Sequence, residues 1–278
     1  MTETALQAFA DIVTGADENI NLIEAALVIA SNEYSSLDVS AYLRSLEVMA
    51  EELQLQLLDC VDAEDFVHGM NHYLYDELGF SGNLANFNDP RNSFFNDVLD
   101  RRLGIPLTLS MLYLDLGRRI GLPLHGVSFP GHFLVKLEDE GGDLVLDPFS
   151  GGLILEEEEL HQRLRHFSKS GHDWDLRRLL APASNRSMLA RMLRNLKNIY
   201  FEAEDFEHAL EMVNFLLVLM PDEVSEIRDR AYIHDQLDCF RAAIEDYQSY
   251  LLLSPEADDA SYIQTRLTDL KTSAERLN

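Results

Sequence analysis

A repeat settles the C-terminal third of the chain before any other feature does. Phe206, Ala209, Leu210, Leu217 and Pro221 recur 34 positions later as Phe240, Ala243, Ile244, Leu251 and Pro255. Apolar positions that return at this interval describe stacked helix pairs sharing one continuous core, with a small residue where helices cross and a proline after the second helix. Glu204 and Leu237 stand where such a unit usually places glycine. Two repeats are fewer than a free-standing array needs, so support from the rest of the chain is expected.

Upstream, the first 78 residues read as helical. The stretches 17–30, 39–58 and 63–78 are rich in Ala, Leu and Glu, and Leu43, Leu46, Met49, Ala50 and Leu53 keep the three-and-four spacing of a buried stripe. Asp62, followed by Asp65, reads as a helix cap. Gly79, Gly82, Asn83, Asn86, Asn88, Asp89 and Pro90 then form a long polar loop, a kind of segment that tends to carry function.

Helices are predicted over 93–103 and 106–120. The second opens with Gly104-Ile105-Pro106, where proline suits the first helical position, and is apolar on nearly every face, as a central helix is. Short β-like runs follow at 125–129, 132–138 and 143–146, with Asp139-Glu140-Gly141-Gly142 as a hairpin turn. The expected fold class is α+β, mostly helical, with one small antiparallel sheet. The expected domains are a helical region over 1–78, a core over 79–180 and helical repeats over 181–278.

The 278 residues carry 49 Asp and Glu against 22 Lys and Arg, a net charge of -27. That field opposes DNA, because phosphate backbones are held by Lys and Arg displacing counterions. One stretch, 160–199, is basic: Arg163, Arg165, Lys169, Arg177, Arg178, Arg186, Arg191, Arg194 and Lys197 face acidic flanks on both sides. Neutralisation by the chain's own carboxylates is expected in preference to RNA binding. Cys60 and Cys239 are too few for a disulfide framework, and no apolar run approaches a membrane span, so a cytoplasmic protein without a membrane partner is expected. His68 and His72, four apart, lack the Glu of the zinc-protease pattern, and His161, His166 and His172 have no regular ligand spacing. No metal and no cofactor are expected.

The chemistry concentrates where Gly131-His132-Phe133 enters the hairpin and Asp147-Pro148-Phe149 leaves it. Side chains alternate along paired strands, so an even-numbered turn puts His132 and Asp147 on one face, opposite or diagonal. A carboxylate beside an imidazole is the orienting half of a nucleophile, base and acid triad, and equally a buried His satisfied by an Asp at a strand end.

The run NHYLYDELGFSGN, the run NDPRNSFFNDVLDRRLGIPLTLSMLYLDLGRRIGLPLHGVSFPGHFLVKL and LVLDPFSGG resemble the bacterial SirB-type proteins, which join a transglutaminase-like, papain-type core to tetratricopeptide repeats. The resemblance spans roughly residues 30–278. It implies that His132 is the base and Asp147 its orienting acid. The nucleophile does not carry over. In catalytic relatives a Cys lies fifteen residues before the glycine ending the central helix, and counting back from Gly121 reaches Pro106. Ser110, one turn beyond Pro106, and Thr108 are the nearest hydroxyls, each also an ordinary core residue. In the polar loop, Asn92 and Ser93 are expected to cap the following helix, and Arg91 either clamps a ligand carboxylate or pairs within the chain.

The expected function is non-catalytic recognition of a protein or peptide by the repeats, with any regulatory role indirect. Pro106, Gly131, His132 and Asp147 would survive as a pocket. The competing expectation is a hydrolase or acyl transferase in which His132 activates Ser110, Thr108 or water.

Overall fold

The computed structural model describes residues 3–139, 141–165 and 174–277, with side chains from 4 to 272 within these ranges. His166, Lys169, His172 and the turn residue Glu140 lie outside the described residues. The chain forms two compact units, Ile12–Leu189 and Met1–Asp11 with Ala190–Asn278. The helices expected as a separate N-terminal region thus fall, from residue 12, in one unit with the core. No described helix is long and apolar enough to cross a membrane.

After α1 (Glu3–Val13), the larger unit carries α2 (Leu22–Glu33), α3 (Val39–Gln56), α4 (Ala63–Asn71), α5 (Phe95–Arg101) and α6 (Pro106–Arg119). Asp62 accepts from the Asp65 amide and starts α4. The helix expected to run on to residue 78 instead widens at Asn71 into a π-helical segment, His72–Glu77, closed by the Leu78 amide on the Tyr73 carbonyl. Helix α6 is the central one. Its Leu107, Leu109, Met111, Leu112, Tyr113 and Leu116 are all buried, and it packs against α2, α3 and the sheet.

That sheet is an antiparallel meander in chain order, β3 (Leu124–Val127), β4 (Leu134–Leu137), β5 (Leu144–Asp147) and β6 (Leu153–Leu155). Strand β6 escaped sequence reading because only three residues form it. A second pair, β1 (Ser81–Gly82) alongside β2 (Leu103–Gly104), is parallel and ties the polar loop to the entry of α6. The register Val135 to Leu146 places Leu134 opposite Asp147, so His132, two residues before β4, sits diagonally from Asp147 on the same face. Helices α7 (Glu157–Arg165) and α8 (Leu176–Leu179) follow.

The other unit contains the repeats. After α9 (Asn185–Glu202) come α10 (Phe206–Leu219), α11 (Val224–Gln236), α12 (Phe240–Leu253) and α13 (Ala260–Leu277). Helices α10 and α12 begin 34 residues apart, and Ala209 and Ala243 are fully buried at equivalent places. The tight turns use left-handed residues, Glu204 at φ 57° and Asp238 at φ 56°. The glycine-like position of the second repeat is therefore Asp238, not Leu237.

Candidate functional site

The chain reaches His132 through a turn in which Gly131 takes φ +67° and the His132 amide returns to the Phe129 carbonyl. Glycine tolerates that backbone where a side chain would be strained. The imidazole Nε2 lies 2.7 Å from Asp147 Oδ1. Its ring is 5.9 Å from that of Phe149, edge to face, and Phe149 leans in turn on Phe87 at 6.1 Å. Nδ1 of His132 has no hydrogen-bond partner among the described residues.

Asp147 has no solvent exposure and is surrounded by donors. Oδ1 accepts from the Phe149 and Ser150 amides at 3.1 and 3.3 Å, while Oδ2 accepts from the Ser150 hydroxyl at 2.9 Å and Arg163 Nη1 at 2.8 Å. Burial alone would raise its pKa. The hydrogen bond and charge of His132, with hydrogen bonds from Arg163 and Ser150, prevail and bring it down to about 2. The carboxylate is ionised at neutral pH and holds the imidazole in one orientation.

Among the described residues no thiol or hydroxyl is hydrogen-bonded to His132. Pro106 is buried at the first turn of α6. Thr108 Oγ1 donates to the Asn92 carbonyl at 2.7 Å and accepts from the Ile105 amide at 3.1 Å. Ser110 Oγ points to the Phe133 carbonyl at 3.4 Å rather than to the carbonyl one helical turn back. Both hydroxyls are fully buried and used by backbone. Cys60 is half-buried and Cys239 is exposed, neither in a disulfide. Partial burial and the charges of Asp65, Asp59 and Asp62 raise the Cys60 thiol above its ordinary pKa, the reverse of activation.

The polar loop is built differently from expectation. Helix α5 starts later than residue 93, with Phe94 as its cap and no side-chain acceptor there. Neither Asn92 nor Ser93 therefore caps α5. Asn92 is fully buried, donates to the Asn86 and Phe87 carbonyls and accepts from Asn83 Nδ2. Ser93 Oγ is buried without a partner among the described residues. Arg91 forms a fork on Asp89 at 3.0 and 2.8 Å, so of its two expected uses the internal ion pair is present. The loop's knot around Asn92 holds Phe87 against Phe149 and, through it, braces His132.

Sequence reading missed four contributors. Arg163 had been grouped with the basic island. Phe149 and Ser150 lie two and three residues after Asp147. Tyr75 sits four residues after Asn71, whose Nδ2 donates to the Gly152 carbonyl at 2.8 Å and whose Oδ1 accepts from the Tyr113 hydroxyl at 3.2 Å. The Tyr75 hydroxyl has no hydrogen-bond partner among the described residues. Burial, then Tyr113 and Asp147, push its pKa well above the ordinary tyrosine value, so the hydroxyl keeps its proton at neutral pH.

Five members of the basic stretch are paired within their own unit. Arg163 serves Asp147, Arg165 reaches Glu158, and Arg186 donates to the Gly15 carbonyl; Arg194 and Lys197 pair with Glu226. His72 faces Asp76 and Glu77 rather than His68.

Residues 40–194 match the model of the transglutaminase-like superfamily, and residues 196–268 match that of the tetratricopeptide repeat. The chain belongs to the transglutaminase-like superfamily. A UPF0162 protein of Xylella fastidiosa is 37% identical over 262 residues, covering 94% of this chain and 93% of that protein. A UPF0162 protein of Vibrio cholerae is 33% identical, covering 90% and 93%. Human F-box only protein 21 is 29% identical over 267 residues, 92% of this chain but 39% of that protein. The transglutaminase-like core followed by tetratricopeptide repeats supports a protein-interaction module.

Proposed function

We propose that this protein is a non-catalytic member of its superfamily, a recognition module in which the repeats hold a peptide segment of a partner and the core cleft serves binding, not turnover. The observation that carries the reading is the committed state of every candidate nucleophile. Pro106 occupies the first turn of α6, and Thr108 and Ser110 spend their hydroxyls on backbone carbonyls. A base and an orienting acid without an attacking atom lack the group that forms the covalent intermediate. The SirB-type resemblance, a cytoplasmic setting and an indirect regulatory role fit this reading, as do two unpaired thiols and a charge of -27.

The test is hydrolysis of a panel of chromogenic esters and anilides by the full chain beside His132→Ala. Equal background rates are expected; a rate lost in His132→Ala would overturn the reading. One observation favours a second reading, a hydrolase in which His132 activates water. The imidazole is fixed by an ionised Asp147 while Nδ1 has no partner among the described residues, the arrangement a general base needs. The same assay decides between them.

A further inference from the structure

The repeat unit contains a cavity of about 360 Å³ bounded by Phe201 on α9, Arg228, Asp229 and Tyr232 on α11, and Tyr262 on α13, with Tyr247 beneath. Its wall is aromatic. The Phe201 and Tyr232 rings stack at 5.4 Å and 23°, and Phe206 meets Tyr232 edge-on at 6.3 Å. Tyr232 is 38% exposed and Tyr262 66%, although both are large side chains. Exposed aromatic surface gathered around a cavity marks a place for a partner rather than a fully packed core.

The rim decides the partner's charge. Lys197 Nζ reaches Glu226 at 2.7 Å and Asp229 at 2.6 Å. Arg228 spans Asp229 at 3.0 Å and Asp259 at 3.2 Å, and Tyr250 donates to Asp259 at 2.5 Å. Arg194 is shared by Glu226 and Glu223. Each of these three cations therefore bridges two carboxylates of its own chain. Among the residues lining this cavity and the adjoining one, the carboxylates of Asp229, Asp259 and Glu202 outnumber the cations Arg228 and Lys197 by one. Among the described residues lining the cavities no cation is left over for an incoming carboxylate, whereas the rings and the excess negative charge suit an incoming cation.

We propose that this groove takes an arginine-bearing peptide segment of a partner protein, the guanidinium lying against Tyr232 and Tyr262 and an adjacent apolar side chain filling the cavity over Tyr247. A planar guanidinium both stacks on rings and donates to carboxylates such as Asp259 in a fork, which an ammonium does not. This rests on the reading of the repeats as a recognition surface and narrows it to one chemistry.

The test is an array of short synthetic peptides probed with the labelled full chain, wild type beside Tyr262→Ala and Asp259→Asn. Tyr262 is exposed enough for its loss to leave the melting temperature unchanged, which calorimetry checks. Peptides with Arg next to an apolar residue should be retained over those with Asp or Glu in its place. Tyr262→Ala should weaken retention about 3- to 10-fold. Selection of acidic peptides or free C-terminal carboxylates overturns the proposal. So does Arg selection that Tyr262→Ala leaves untouched, which would place the contact elsewhere and leave the broader recognition reading standing. Retention of no peptide at all defeats both.

Discussion

The two units handle buried charge in opposite ways. In the core unit one carboxylate, Asp147, gathers an imidazole, a guanidinium, a hydroxyl and two amides. In the repeat unit charge is spread along a ladder, from Arg194 through Glu226, Lys197, Asp229 and Arg228 to Asp259, in which every cation has two partners. A hub concentrates geometry on one atom set, and its loss leaves several groups unpaired. A ladder tolerates the loss of a rung. The hub suits the fixing of a single imidazole, and the ladder suits a long surface.

The sharpest way to break this contrast is Asp147→Ala. It strands Arg163 and His132 around a fully buried position, and denaturant unfolding should show a loss of about 3 kcal/mol. The pH dependence follows from the same atom. Its folded pKa of about 2 lies below the ordinary 3.8, so its stabilisation is complete above pH 4 and fades as pH falls toward 2. Stability of wild type minus Asp147→Asn, measured across that window, should shrink by about 2 kcal/mol; a flat difference contradicts the hub.

Lys197→Ala tests the ladder. Although Lys197 is buried, Glu226 keeps Arg194 and Asp229 keeps Arg228, so a loss of only about 1 kcal/mol is expected by the same measurement. A cost equal to that of Asp147→Ala would erase the distinction. Asp238→Gly should raise stability by about 0.5–1 kcal/mol, because it relieves a left-handed non-glycine residue, and Glu204→Gly should do the same. The smallest effect belongs to Tyr75→Phe. With no hydrogen bond to lose among the described residues, it should leave the unfolding midpoint where it was.

The regular parts of the molecule were legible in the chain. The 34-residue spacing announces α10 and α12, and alternation along the hairpin places His132 beside Asp147, as the 2.7 Å contact shows. What escaped depends on contacts between segments distant in sequence. Arg163, sixteen residues past Asp147, belongs to a run of basic residues that looks uniform until a fold sorts its members. Asn92 looked like a cap because caps are local, but its donors go back into the preceding loop and its carbonyl meets Thr108. The π-helical turn at His72–Glu77 has no composition of its own, so Tyr75 read as one more helical aromatic.

The proposal that no attacking atom serves His132 is the centre of this account, and intact-mass spectrometry after exposure to an activated acyl ester tests it most directly. Wild type should carry no acyl group on Ser110, Thr108 or either thiol that depends on His132, whereas Pro106→Cys should gain one adduct that His132→Ala removes. An adduct on the wild-type chain that disappears with His132→Ala would contradict it.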